Sequence, residues 1–253
     1  MKVALIGCTG FVGQSILRSR EISHRISRNN IASYAGAHFD LLIIAAGDAR
    51  KWYANQNPRE DAQHIRGLQA AISRVRASRV VQISTVDVLD GKAGDEQIPI
   101  IPSHCDTYGR NRLELEDFVR KQFVRCSVVR LPGLFGRGLK KNMIFDISQG
   151  RALSGFNPKS TFQWFDMNEV NRIIDLSLEH ELPLLHVCGE PLIAGELASA
   201  LNGQVATMQE SAPLVRYDVH TRYGHLMPGS PPGYLYWAAD TLQRIRHFMG
   251  GRL

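Results

Sequence analysis

Tyr108 and Arg112 stand four positions apart in this 253-residue chain, a spacing that puts both on one face of a helix. A tyrosine that works as a general acid or base near neutrality must titrate well below its ordinary value of about 10, and a fixed cation nearby favours the phenolate. The same spacing also suits a plain surface contact. Ser84 and Thr85 close an apolar run that begins at Arg79, so their hydroxyls emerge where a strand stops. There Thr85 can hydrogen-bond a substrate carbonyl while Tyr108 delivers a proton. The other reading is a turn that uses both hydroxyls for its own backbone.

A second constellation is glycine-rich. Gly7, Gly10 and Gly13 fall in Gly7-Cys8-Thr9-Gly10-Phe11-Val12-Gly13, directly after a β-branched run and directly before apolar residues at helical spacing from Phe11 to Arg20. Gly7 permits a sharp turn, Gly10 lets a pyrophosphate approach the backbone, and Gly13 lets helix and strand pack closely. The helix N-terminus then supplies amide donors. A glycine turn with no ligand has the same pattern. An acidic residue about 20 positions on goes with NAD and an arginine there with NADP. Residues 22–39 contain no acid but do contain Arg25 and Arg28, and Arg28 lies 21 positions after Gly7. NADP is therefore expected, with NAD possible; exposed arginines on a short connector are the alternative.

These groups need a scaffold that brings strand ends together. Buried strands are predicted at 2–7, 40–47, 79–84 and 126–131, with amphipathic helices at about 11–20, 58–76 and 107–124. Near-continuous apolar strands alternating with helices predict a parallel sheet covered on both faces. Beyond Leu131 the regularity weakens: helices near 141–149 and 167–180, a strand at 184–188, a Pro/Gly-rich loop at 228–233 and a terminal helix from about Asp240 to Met249. The chain is expected to divide into a dinucleotide-binding domain over 1–131 and a smaller substrate lobe over 132–253. Asp166-Met167-Asn168-Glu169 reads as a helix cap and capping box, a stabilising device.

Composition narrows the class. Apolar residues make up 44% and charged residues 21%, which excludes collagen-like, coiled-coil or wholly disordered chains. No stretch reaches the length of a membrane span and no secretory signal opens the chain, so a cytoplasmic protein with no membrane partner is expected. Four scattered cysteines form no C-x-x-C pair, so neither a metal site nor a disulfide framework is suggested and they read as reduced packing residues. The net charge of +6 is diffuse, without a run of five like charges, and gives no nucleic-acid arm.

Taken in order, the glycine turn, the Ala45-Ala46 strand end, Ile83-Ser84-Thr85-Val86-Asp87-Val88, Tyr108 to Arg112, Arg130-Leu131-Pro132-Gly133-Leu134-Phe135-Gly136 and Gly189-Glu190-Pro191 resemble the extended short-chain dehydrogenase/reductase family. The likeness is nearest to its dTDP-4-dehydrorhamnose reductase type. It implies an α/β fold, a Rossmann-like doubly wound parallel sheet with a small C-terminal substrate lobe. It also implies a cofactor held by Gly7, Thr9, Gly10, Phe11, Val12, Gly13, Arg28, Ala45 and Ala46. Thr85 would orient substrate, Tyr108 would be the general acid/base, and Arg112 occupies the position of the family's lysine. Ser84, Asp87, Arg137, Lys140 and Asn142 would face a nucleotide-sugar substrate, the last three near its diphosphate or in a solvated loop. His64 stands where an asparagine is common, and the stretch from Glu21 to Asp40 is shorter than usual. Val86-Asp87 after Thr85 differs from the Asp-Glu pair of the dehydratases.

The resemblance thus implies an NAD(P)-dependent reductase or epimerase of nucleotide-activated sugars in bacterial surface-polysaccharide synthesis, with a homodimer built on the helices at 58–76 and 107–124. The rival expectation, raised by Arg112 and His64, is a dinucleotide-binding sensor or assembly protein that kept the fold and lost the chemistry.

Overall fold

Val3-Ala4-Leu5-Ile6 is buried at every position, which a strand tolerates only when both of its faces are covered. The computed structural model describes residues 1–251, so the last two residues of the expected 132–253 lobe lie outside it. Its described chain forms two compact units. The first comprises Met1–Gly91, Ile98–Leu131 and Val170–Leu185, the second Lys92–Gln97, Pro132–Glu169 and the described residues from His186 onward. A break thus falls after Leu131, and two further segments are exchanged: 92–97 into the second unit and 170–185 back into the first.

The first unit carries the strands β1 (Val3–Ile6), β2 (His24–Ile26), β3 (His38–Ile44), β4 (Arg76–Thr85) and β5 (Cys126–Leu131). A short last strand, β6 (Leu184–His186), completes a six-stranded sheet in the order β6-β5-β4-β3-β1-β2. The four pairings from β2 to β5 are parallel, with Leu5 opposite Arg25 and Ile43, Ile43 opposite Val81, and Val81 opposite Ser127. The helices are α1 (Phe11–Leu17), α2 (Lys51–Gln56), α3 (Pro58–Ile72), α4 (Thr107–Gln122) and α5 (Val170–Glu179).

Alternation along the strands splits the core into two layers. Ile6, Leu42 and Ile44 pack with Ile65 of α3 and with Leu115 and Val119 of α4. Leu5, Leu41 and Ile43 point the other way and are equally buried. Strand order reverses at β1, which has β2 on one side and β3 on the other, so the turn after β1 stands at a topological switch point, where open α/β sheets take ligands.

Several boundaries differ from the sequence reading for physical reasons. The helix expected over 58–76 starts on Pro58 at its first position and stops at Ile72, because β4 already pairs with β3 from Arg76. The short stretch from Glu21 to Asp40 holds one three-residue strand, β2, and a 3-10 turn at Ile31–Tyr34. Helix α2 follows β3 within the polar run after Gly47, where periodicity gave no signal.

The second unit is built from short pieces: Gly133–Phe135 parallel to Trp164–Asp166, Leu192–Ile193 antiparallel to Thr161–Phe162, Ala93–Gly94 parallel to Asp218–Val219, and helices Met143–Ser148, Ala194–Ala200 and Ala238–Gly250. The Asp166 carboxylate accepts the Asn168 amide at 2.9 Å and opens a 3-10 turn at Met167–Glu169, while the Glu169 carboxylate pairs with Arg244 at 3.3 Å. No helix among the described residues is long and apolar enough to cross a membrane. All four cysteines are free thiols, and burial pushes Cys126 up to about 11.

Candidate active site

The glycines after β1 divide by the space around them. A methyl on Gly7, whose φ is +90°, would stand 2.2 Å from the Ala45 carbonyl oxygen, and one on Gly13 would stand 2.2 Å from the Gly7 carbonyl oxygen. Both are therefore required by close packing of the β1 turn, the β3 end and α1. Gly10 is different: its φ is an ordinary −76°, and a methyl there would meet nothing nearer than the Gly7 oxygen at 3.5 Å. Its bare backbone borders open space on an exposed turn, which is what a ligand lying against the chain requires. Gly10 is also the N-cap of α1 and contributes no side-chain cap, so the amides of Phe11, Val12 and Gly13 begin the helix without intrahelical acceptors. Donor set and open backbone fit a dinucleotide diphosphate. Thr9 is exposed, Ala45 and Ala46 are half-buried beside the turn, and Arg28 is exposed two residues beyond β2.

At the end of β4 the two hydroxyls part, because successive side chains leave a strand on opposite faces. Ser84 donates to Glu116 at 2.5 Å, and Glu116, fully buried, is also bound by Arg130 at 2.6 and 3.0 Å. The Ser84 hydroxyl is thus taken up inside the unit. Thr85 is half-buried and accepts the Asp87 amide at 3.1 Å, opening a tight turn. Asp87 in turn receives Lys51 of α2 at 2.7 Å, and the same ammonium reaches Asp106 at 3.2 Å. Burial works against the Lys51 charge, but Asp87 and Asp106 outweigh it and leave its pKa raised.

Asp106 caps α4 by accepting the Gly109 amide at 2.8 Å, and Asn55 of α2 accepts the Tyr108 amide at 2.9 Å. A methyl on Gly109 would meet the Asp87 carbonyl oxygen at 2.3 Å, so the first turn of α4 lies directly on the chain beyond Thr85. This packing places Tyr108 and Thr85 in one neighbourhood.

Tyr108 is 9% exposed, and burial pushes its phenol up to about 12, against the opposing pull of Arg112. The Arg112 guanidinium stacks 4.2 Å from the centre of the Tyr108 ring. Its Nη1 is bound to Asp61 of α3 and its Nη2 donates to the Asp48 carbonyl, which joins α4, α3 and the segment after β3. Asn111 also donates to Asp61, at 2.8 Å. A low phenol pKa, the property sought at sequence level, is not what this arrangement produces: the phenol is protonated at neutrality. His64 is exposed on α3, while Asp61, one turn earlier, is the polar residue facing α4.

Arg137, Lys140 and Asn142 belong to the second unit. Arg137 and Lys140 are exposed; Asn142, at φ +121°, caps the helix at Met143 by accepting the Phe145 amide at 3.1 Å and donates to the Leu134 carbonyl at 2.7 Å. Its amide is engaged at both ends within its own unit.

No protein-family model and no curated protein matches the sequence. Solved structures are similar over nearly all of it. A dTDP-4-dehydrorhamnose reductase from Bacillus anthracis, in complex with NADP, has 16% identity and a TM-score of 0.75, covering 99% of each chain. A dTDP-glucose 4,6-dehydratase from Streptomyces venezuelae with NAD bound has 15% identity and a TM-score of 0.74, over 98% of this chain and 96% of that one. A UDP-N-acetylglucosamine 4-epimerase from Bacillus cereus has 16% identity and a TM-score of 0.66, over 98% and 99%. The structural neighbours of this chain are NAD(P)-linked sugar-nucleotide enzymes of the extended short-chain dehydrogenase/reductase type, and it has their Rossmann-like fold.

Proposed function

We propose that this protein is an NADP(H)-dependent reductase acting on a keto carbon of a nucleotide-activated sugar. The observation that carries it is the buried Tyr108 phenol, protonated at neutrality and backed by a fixed cation, in the first turn of a helix seated on the chain beyond Thr85. A reduced nicotinamide, when bound, would supply the hydride that such a reduction needs. The protein's own part is to orient and protonate: Thr85 hydrogen-bonds the carbonyl oxygen, and Tyr108 gives that oxygen its proton as negative charge develops there. The resulting phenolate lies beside Arg112, whose charge opposes the cost of holding an anion in a buried place. A protonated phenol suits reduction better than epimerisation, which must begin by removing a proton from substrate.

In this reading the amides of Phe11, Val12 and Gly13 would hold the diphosphate of the cofactor, with Gly7, Thr9, Ala45 and Ala46 shaping the turn and Arg28 donating to a 2′-phosphate. Arg137 and Lys140 are the proposed contacts to the sugar-nucleotide diphosphate, and Asp87 the proposed polar contact beside Thr85. A cytoplasmic place in surface-polysaccharide synthesis and a homodimer through α3 and α4 belong to the same proposal. None of the large exposed apolar side chains described lies on those helices, so that interface would be polar.

Calorimetry with NADPH, NADP, NADH and NAD tests the proposal first, followed by thermal shift with dTDP- and UDP-sugars. Absence of binding by all four dinucleotides refutes it. A second reading, a dinucleotide-bound sensor, draws support from the way Asp61 and the Asp48 carbonyl tie down Arg112. It predicts binding of NADP(H) with no turnover on any sugar nucleotide.

A further inference from the structure

Asp61 is 2% exposed and lies on the inward stripe of α3 with Ile65 and Ile72. A carboxylate there is costly unless it is paired, and both of its partners come from α4: the Arg112 guanidinium, and Asn111 at 2.8 Å. Arg112 has a second tie, to the Asp48 carbonyl, and with both ties made its Cζ stands 4.2 Å over the Tyr108 ring. The cation is thereby placed above the ring face by groups from two other elements. Without Asp61 it keeps the Asp48 carbonyl and its own contact with Tyr108, and its charge acts on the phenol with no acid bound to it.

We propose that Asp61 is a positioning residue for Tyr108: by fixing Arg112 over the ring and adding its own negative charge, it opposes loss of the phenol proton. The charged groups acting on the phenol are Arg112 from its own helix, Asp87 from the segment after β4 and Asp61 from α3, with Lys51 and Asp106 bound at or beside Asp87. Burial raises the phenol most, Arg112 opposes it by its charge and as a hydrogen-bond donor, and Asp87 and Asp61 add to the rise. The inference deepens the proposed role of Tyr108 and rests on it, but its test uses neither cofactor nor substrate.

Protein carrying tyrosine labelled with 13C at Cζ is titrated by NMR through the alkaline range, with the Tyr108 signal assigned by its loss in Tyr108→Phe. The wild-type midpoint is expected at about 12. Asp61→Asn is expected to lower it by about 1–2 pH units, the effect of removing one nearby charge and releasing another, and Asp61→Glu to restore it. An unchanged or higher midpoint in Asp61→Asn overturns the assignment, because a purely structural aspartate would leave the phenol where burial put it. Should that variant not fold, Asp61→Asn/Arg112→Met removes both buried charges together, a change such pairs often tolerate. There the midpoint is expected at or above that of wild type, and a lower one overturns the assignment. Failure of NADP(H) binding refutes the proposed function and does not move these midpoints.

Discussion

Replacing Gly10 by alanine separates the ligand from the fold. Gly10 has φ −76° and ψ 168°, a region open to alanine, and the added methyl meets only the Gly7 oxygen at ordinary contact distance, 3.5 Å. Folding then changes through two small effects of opposite sign. Lower entropy of the unfolded chain favours alanine by about 0.4–1 kcal/mol. The better N-cap behaviour of glycine opposes it by roughly 0.5–1 kcal/mol. The net is within about 1 kcal/mol, a shift in Tm of no more than about 2–4 °C for a chain of this size. Binding is another matter: a methyl projecting from the turn holds a diphosphate off the amides, and loss of one hydrogen bond to a charged group costs about 1.5–3 kcal/mol. That is about 10- to 150-fold in Kd. Calorimetry with NADPH and a melting curve on the same sample read both quantities. Gly13→Ala and Gly7→Ala are the contrasts, since each puts a methyl 2.2 Å from a carbonyl oxygen and is expected to destabilise by about 1–3 kcal/mol or more. If Gly10→Ala binds NADPH as wild type does, no diphosphate lies on this turn and the cofactor assignment is wrong.

Other outcomes follow from the same geometry. Tyr108→Phe should abolish NADPH-dependent sugar reduction while leaving NADPH affinity near that of wild type; retained turnover removes the phenol from the chemistry. Because the folded phenol titrates at about 12 against about 10 when unfolded, its contribution is fully present below pH 10 and is lost as pH rises through 12. Melting curves between those values should therefore show wild type losing about 3 kcal/mol more than Tyr108→Phe, and parallel curves would contradict the burial. Arg112→Lys gives up the two-point hold on Asp61 and the Asp48 carbonyl, so it should lower Tm and not raise turnover; higher activity would favour the sensor reading. Gly109→Ala drives a methyl to 2.3 Å from the Asp87 carbonyl oxygen, and should push the start of α4 off the chain beyond Thr85, with turnover falling further than NADPH affinity.

The sheet was legible because its strands announce themselves: Leu41-Leu42-Ile43-Ile44 and Val80-Val81 are apolar on both faces, a pattern left by helices on either side of a parallel sheet. The glycine turn was legible for the same reason, since its spacing follows from backbone contact and not from any distant partner. Helix α2 escaped because its six residues bury one side chain, Ala54, too little to leave a period. Its contribution to the site, Lys51 on Asp87 and Asn55 on the Tyr108 amide, is fixed by contacts 36 and 53 residues away in sequence. Asn142 and Ser84 illustrate the converse: a polar residue in the right place along the chain, whose hydrogen bonds are already made to its own surroundings.

Asp61 could have been found. On α3 it precedes Ile65 by four residues and Ile72 by eleven, so it falls on the inward stripe of its helix, where a charge survives only with a counter-charge. On α4 Arg112 precedes Leu115 by three and Val119 by seven, again inward. Two opposite charges, each on the buried stripe of a helix expected to cover the same sheet, have few places to go but to each other. Seen that way, the arginine in place of a lysine is half of a pair, and its meaning depends on the acid that accompanies it. An arginine alone beside a tyrosine would favour the phenolate. An arginine held by an aspartate keeps its charge within reach of the phenol and leaves the proton in place, which is the state a donor must occupy before it acts.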